Sequence, residues 1–247
     1  MNSEAIHDRT NEWFVPSFGP QKLRVFVGLL YLPYTGMVLS YTVIGSMMAQ
    51  RVNWSRVAAI VVIYFLALGI GGHALDAVGS KGTKPWGPIL QPRILWGLAV
   101  SSVAIAYAIG LYYILTDTPL LWLIAVPEGF FLLAYNLEWF SGYFHTDGWF
   151  AVSWGALPVL AGYIIQTNRL SLAVMIVAVS MGLLSLVEIT ASRPYKRMKQ
   201  LIKENGVEQE ARQEYAVRFE LILKSLSVGV ILLGLGMVGW RLNGFFS

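Results

Sequence analysis

The chain has 247 residues, of which 56% are hydrophobic and only 13% are charged. A soluble domain usually carries about 25% charged residues, so this composition excludes an ordinary soluble domain and indicates an integral membrane protein. Cysteine is absent, which excludes disulfides, thiolate metal ligands and cysteine nucleophiles.

Seven apolar stretches approach the length of about 20 residues that a membrane-spanning helix needs. The polar first 20 residues lack the apolar core of a signal peptide. The pattern therefore predicts an all-α fold, a polytopic transmembrane helical bundle of about seven spans, in a single domain over residues 1–247. We expect the spans at 25–48, 55–75, 94–115, 119–140, 149–166, 170–191 and 220–242.

Basic residues are distributed unevenly between the two predicted sides of the membrane. With a cytosolic N-terminus, fourteen of the 18 lysines and arginines fall in cytosolic segments. The four on the opposite side are Arg51, Arg56, Arg169 and Arg241. Positive residues concentrate on the cytosolic side of membrane proteins, so we expect a multi-pass protein of the cell (inner) membrane with its N-terminus inside. The net charge of +4 then reflects orientation, and no nucleic-acid partner is expected.

A first polar cluster lies at the predicted cytosolic end of the second span, in Gly71-Gly72-His73-Ala74-Leu75-Asp76. His73 and Asp76 are three residues apart and would share one helix face. A glycine-rich loop with Lys81 and Lys84 follows, and its ammonium groups could meet an anion.

A second cluster, with Glu138, His145 and Asp147, follows the fourth span on the same predicted side. Glu138 and His145 are seven residues apart, so they would share a face if the helix continued through both. The charged segment 192–219 supplies a third cytosolic connection, predicted to be helical, which begins with Arg193 and Lys196 close together.

Carboxylates beside imidazoles can hold a divalent ion, and oxygen-rich sites favour Mg²⁺ completed by phosphate and water. Another divalent metal, such as zinc, manganese or iron, fits His and carboxylate ligands as well. Basic groups nearby would neutralise a diphosphate and ease its departure. The clusters therefore suit chemistry on a membrane lipid with a phosphorylated head.

Each cluster also has a purely structural interpretation. His73 and Asp76 could close a helix end, and His145 and Asp147 could be loop polarity or a cap for the fifth span. The charged connection could be a solvated amphipathic helix. Glu128, near the middle of the fourth span, is expected to be protonated or paired. Tryptophans such as Trp154 are more typical of interface belts than of a substrate site.

The segment Leu32-Pro33-Tyr34-Thr35, followed by Ser40, Gly45, Trp54 and Gly72-His73-Ala74-Leu75-Asp76, resembles the opening of the UbiA superfamily of intramembrane prenyltransferases. The family's first aspartate-rich motif falls on Gly72, His73, Asp76 and Ser80, and its Arg-Pro on Lys84-Pro85. Family members typically have nine helices, two more than expected here.

The resemblance implies an enzyme that acts on a prenyl diphosphate or related isoprenoid lipid, by prenyl transfer or cyclisation, with Mg²⁺ as cofactor. Three sets of residues would carry the roles. The catalytic set is His73, Asp76, Glu138, His145 and Asp147. The metal ligands are His73, Asp76, Glu138 and Asp147, and the diphosphate-binding residues are Lys81, Lys84, Arg193 and Lys196.

Other classes of function stay open. A non-catalytic subunit or scaffold with membrane-protein partners fits the small size and the thin set of acids. A seven-helix photoreceptor would need a lysine deep in the last span, where Lys224 lies only near the start. A transporter would place its site near the midplane, where Pro127-Glu128-Gly129 and Pro158 interrupt the helices.

Overall fold

A computed structural model describes residues 12–79, 90–203 and 209–246, and these residues form helices without strands. Six of the described helices are each long and apolar enough to cross a membrane, and the number is seven if the bent pair of helices at the start forms one span. The predicted polytopic all-α bundle is confirmed. In chain order the helices are α1 (Gln21–Leu29), α2 (Leu32–Met47), α3 (Trp54–Gly79), α4 (Pro92–Thr116), α5 (Pro119–Asn136), α6 (Asp147–Thr167), α7 (Leu172–Lys203) and α8 (Gln209–Phe246).

The first span is broken into α1 and α2, which meet at an angle of 43°. The break lies at Tyr31, whose φ of 43° places it in the left-handed region just before α2. Pro33 then stands in the first turn of α2, where its missing N–H leaves no helical hydrogen bond unmade. Tyr34 Oη donates to Ser192 Oγ of α7 at 2.5 Å, which ties the bent span to a distant helix.

Two spans contain wide π-helical turns, Phe65–Gly72 in α3 and Val152–Ala156 in α6. Such turns change which residues face a neighbouring helix and occur often at functional sites. The first ends directly before His73, and the second contains Trp154. The rings of these two residues lie 5.1 Å apart, so both irregular turns meet at one place.

Helices α2 and α6 touch backbone to backbone. A Cβ atom on Gly45 would lie 2.0 Å from the Val159 carbonyl oxygen, and one on Gly162 would lie 2.0 Å from the Thr42 carbonyl oxygen. Ser46 Oγ also donates to the Gly162 carbonyl at 3.0 Å. In lipid, where burying apolar surface does not drive association, small residues and interhelical hydrogen bonds of this kind hold helices together.

Two predicted boundaries differ from the structure. The fourth span was expected to reach residue 140, but α5 ends at Asn136 because Glu138 and Phe140 adopt φ values of 53° and 55°. The described parts of the charged connection 192–219 are the ends of two long helices, with Pro194 inside α7. Tyr195 joins the two extensions, since its hydroxyl lies 3.1 Å from Glu220 Oε2 of α8.

The contact between α2 and α6 predicts a steep penalty for a single methyl group. Gly162→Ala should lower the free energy of unfolding by about 2 kcal/mol, because its Cβ meets a carbonyl oxygen that belongs to the backbone. Gly229→Ala in α8 is the matched control, since nothing lies within 4 Å of its added Cβ. Thermal unfolding in detergent measures both variants, and equal stability would contradict the proposed packing.

The predicted orientation can be tested by single-cysteine labelling, because the natural chain has no cysteine. Tyr143 and Leu170 are 67% and 49% exposed and lie beyond opposite ends of α6. A membrane-impermeant maleimide on intact cells should modify Leu170→Cys and should reach Tyr143→Cys only after permeabilisation. The reverse pattern would place the N-terminus outside.

Candidate functional site

Both predicted polar clusters and the start of the charged connection meet in one cavity of about 180 Å³ at one end of the bundle. Five of the nine predicted site residues line it, from three separate parts of the chain: His73, Asp76, His145, Arg193 and Lys196. The remaining lining residues are mostly aromatic or polar: Tyr31, Tyr34, Tyr135, Asn136, Phe150, Trp154 and Ile189.

His73 is held between aromatic rings at the inner wall of this cavity. Its ring stacks on Tyr31 with centroids 5.1 Å apart and lies 5.1 Å from Trp154. Thr35 Oγ1 donates to the Leu30 carbonyl at 2.6 Å, and His73 Nε2 lies 3.4 Å from the same hydroxyl. The single hydroxyl proton of Thr35 already bonds to the Leu30 carbonyl, so His73 Nε2 is the donor in the contact with Thr35. In the neutral ring Nδ1 then keeps a lone pair.

His145 both lines the cavity and closes the end of α5. Its Nδ1 lies 2.9 Å from the Tyr135 carbonyl oxygen, and its ring stacks on the Tyr135 ring at 4.4 Å. A carbonyl oxygen can only accept, so Nδ1 carries the proton and Nε2 keeps a lone pair in the neutral ring. The structural and the functional interpretations of this residue are therefore compatible.

Glu138 does not line the cavity. The helix that was expected to carry it on the face of His145 has ended at Asn136, and Glu138 stands exposed in the following turn. The helix does not continue to His145, so the condition for a shared helix face of Glu138 and His145 is not met.

Asp147 acts on the cavity through Arg193. Its Oδ1 lies 2.9 Å from Arg193 Nη2, which links the start of α6 to α7. Thr146, rather than Asp147, caps α6, since Thr146 Oγ1 accepts from the Trp149 N–H at 3.4 Å. The ion pair places the guanidinium of Arg193 at the cavity wall.

The cationic part of the cavity comes from α7. Arg193 and Lys196 are three residues apart and therefore lie on one face of that helix. The Lys196 ammonium stands 5.1 Å from the centre of the Tyr31 ring, a cation–π distance. Lys81 and Lys84, the other predicted diphosphate ligands, lie outside the described residues.

The expected metal ligands do not form a cluster. Within residues 12–79, 90–203 and 209–246, no group of three or more histidines and carboxylates lies close enough to hold a metal ion. Of the predicted set, His73 and Asp76 line the cavity, Asp147 pairs with Arg193, and Glu138 is exposed. Any metal bound here would need most of its ligands from a substrate.

The aromatic wall was missed by the sequence analysis. Trp154 is only 4% exposed and packs against His73, so its expected place in an interface belt is wrong. It lies more than one helical turn inside the predicted span 149–166, and this distance from the interface is the signal that could have indicated its burial. Tyr31 and Tyr34 bracket a proline at a helix start, a pattern that marks a break and hence a possible site.

No family model, curated protein or solved structure matches this chain. The resemblance to the UbiA superfamily therefore depends on the sequence motifs alone, and a function has to be argued from the cavity itself.

The Asp147–Arg193 ion pair predicts a modest stabilisation. Both side chains are partly exposed, at 30% and 47%, so a double-mutant cycle with Asp147→Asn and Arg193→Gln should give a coupling of about 0.5–1 kcal/mol. Glu214 and Arg218 form a more exposed pair within α8 and serve as the control, with a coupling of about 0.3–0.5 kcal/mol. A coupling of zero for the first pair, from unfolding experiments on all four proteins, would contradict its role in fixing Arg193.

Proposed function

We propose that this protein is a membrane enzyme that binds a prenyl diphosphate in the polar cavity and releases the diphosphate during prenyl transfer or cyclisation. The observation that carries the proposal is the meeting of Asp76, Arg193 and Lys196 with a wall of aromatic rings in one cavity of about 180 Å³. Residues more than 100 positions apart in the chain supply these groups, at one end of a bundle of apolar helices.

The charges of the cavity suit the leaving group. A diphosphate carries several negative charges, and Arg193 offers a planar fork of donors while Lys196 offers a point charge. When the bond between the allylic carbon and the diphosphate oxygen breaks, the electron pair stays on that oxygen. Cations at the cavity wall stabilise this developing charge without reorganising, which lowers the barrier to bond breaking.

The aromatic rings suit the other fragment. Departure of the diphosphate leaves an allylic carbocation, which the faces of electron-rich rings stabilise by cation–π attraction. Tyr31, Tyr135, Phe150 and Trp154 line the cavity, and the rings of Phe150 and Trp154 are stacked at 5.4 Å. The cation is then quenched by an acceptor, or by a double bond of its own chain, with loss of a proton.

His145 is suited to take that proton. Its Nδ1–H is fixed by the Tyr135 carbonyl, so Nε2 is the ring nitrogen able to accept. A proton that moves to Nε2 gives a cation beside the departing diphosphate, which adds to its stabilisation.

Asp76 fits a magnesium site of the kind that phosphates complete. Mg²⁺ is commonly bound by one or two carboxylates together with substrate phosphate oxygens and water. Asp76 would supply the protein ligand, and the ion would neutralise charge on the diphosphate oxygens. Glu138 has no part in this proposal because it is exposed outside the cavity.

The test is diphosphate release by the purified protein given farnesyl or geranylgeranyl diphosphate, Mg²⁺ and a panel of aromatic and lipid acceptors. Asp76→Ala should lower the rate by about 100-fold, as expected when a group that stabilises transition-state charge is lost. Glu214→Gln, on the exposed side of α8, is the matched control and should leave the rate unchanged. Undiminished release by a folded Asp76→Ala protein would refute the assignment.

A second candidate is a non-catalytic subunit that holds a phosphorylated lipid within a larger membrane complex. One observation favours it: Asp76 is the one carboxylate among the described residues that line the cavity, while the cations are retained. Retention of an intact lipid diphosphate by wild-type protein, without release and with stoichiometric co-purifying proteins, would support this candidate over the enzyme.

A further inference from the structure

A second, larger cavity of about 280 Å³ lies within the spanning region, between α3, α4 and α5. Its wall is almost entirely apolar and includes aliphatic residues such as Ile63, Leu111 and Leu132 and the aromatic ring of Trp122. Its volume approaches the lower end of small-ligand pockets, which start at about 300 Å³. Gly72 separates it from the first cavity, since a Cβ there would touch both Leu132 and Trp154.

One carboxyl group stands in this apolar wall. Glu128 lies about halfway along α5, directly after Pro127, which stands inside the helix. Its Oε1 accepts a hydrogen bond from Tyr64 Oη at 2.8 Å. Its Oε2 is shielded from solvent and has no hydrogen-bond partner. A buried polar atom without a partner is costly, so the site is one hydrogen bond short.

A hydrogen bond between two neighbouring helices lies directly beside Glu128. Tyr107 of α4 reaches α5 and donates from Oη to the Ala125 carbonyl at 2.7 Å. Gly129 makes that reach possible, because a Cβ there would lie 2.0 Å from the Tyr107 hydroxyl. Two tyrosines from neighbouring spans thus converge on Pro127-Glu128-Gly129 and form a small polar patch in an otherwise apolar cavity.

We infer that this cavity binds a hydrocarbon molecule with a single hydroxyl group, an alcohol or a phenol, whose hydroxyl bonds to Glu128 Oε2. A hydroxyl can donate to a carboxylate or accept from a carboxylic acid, so it satisfies Oε2 in either protonation state. An ammonium group would instead bury a second charge, which is expensive in an apolar wall. The apolar lining contacts the hydrocarbon part, and a plain acyl chain would leave Oε2 without a partner.

This site is separate from the diphosphate cavity, and its residues take no part in the proposed diphosphate chemistry. A ligand here would therefore bind whether or not the protein releases diphosphate. Different measurements therefore test the two proposals.

The test uses two photoreactive probes that differ in one group: a medium-chain alkanol with a mid-chain diazirine, and the corresponding alkane, which can neither donate nor accept a hydrogen bond. The protein is reconstituted in phosphatidylcholine nanodiscs, and labelled peptides are located by mass spectrometry. We expect the alkanol to label the peptides containing 104–114 and 121–132 about tenfold more than the alkane, the ratio expected for one buried hydrogen bond to a carboxyl group. Equal labelling of wild-type protein by both probes would overturn the inference.

Two variants and a control locate the effect. Glu128→Leu should abolish the preference for the alkanol, whereas Val126→Leu, on the exposed side of the same helix, should preserve it. Ala104→Phe should reduce labelling of both peptides, because it fills the cavity from α4. This second variant keeps the test decisive if Glu128→Leu fails to fold. A preference that survives in folded Glu128→Leu, or labelling that is undiminished in Ala104→Phe, would contradict the site.

Discussion

The close approach of α2 and α6 is the contact on which the geometry of the polar cavity depends. Gly45 and Gly162 remove the side chains that would keep the two backbones apart, and Ser46 adds a hydrogen bond across the contact. Helix α2 begins directly after the break at Tyr31, and α6 carries Trp154. Because both flank His73, a shift between the two backbones would open the aromatic enclosure of that ring.

The polar cavity shows how a membrane protein can gather charge at low cost. Its ionisable groups lie at one end of the bundle, where the penalty for charge is smaller than at the bilayer centre. Arg193 is held by Asp147, and Lys196 lies over the Tyr31 ring. These contacts hold the cations at the cavity wall without any bound ligand. The proposed stabilisation of a leaving diphosphate requires cations that are preorganised in this way.

Glu128 presents the opposite case, an acid that remains in the middle of the spanning region. Tyr64 donates a hydrogen bond to one oxygen of its carboxyl group, and the other oxygen has no hydrogen-bond partner beside an apolar cavity. Polar groups at this depth are expensive and mark functional sites by default. The two cavities therefore divide the molecule by depth, with charge at the end of the bundle and a single hydrogen-bonding group near its centre.

The sequence by itself determined the helical membrane bundle and the positions of its spans, because lipid requires long apolar helices and penalises every interruption. It also indicated that His73, Asp76, His145, Arg193 and Lys196 would meet, since positive residues and alternating spans place their segments on one side. The sequence did not show that Glu138 lies outside the cavity, because the turn that ends α5 depends on φ values that no side-chain pattern indicated.

Only the tertiary structure decided which rings enclose the site and how deep the second cavity lies. Trp154 and Tyr31 face His73 because of a π-helical turn, a broken span and a backbone contact between helices distant in the chain. The absence of a partner for one oxygen of Glu128 likewise depends on the positions of the Tyr64 and Tyr107 hydroxyl groups. The hydrophobicity of each segment can be read from the sequence and determines which segments span the membrane. The packing between helices cannot be read from it, and this packing determines which side chains come together inside the bundle.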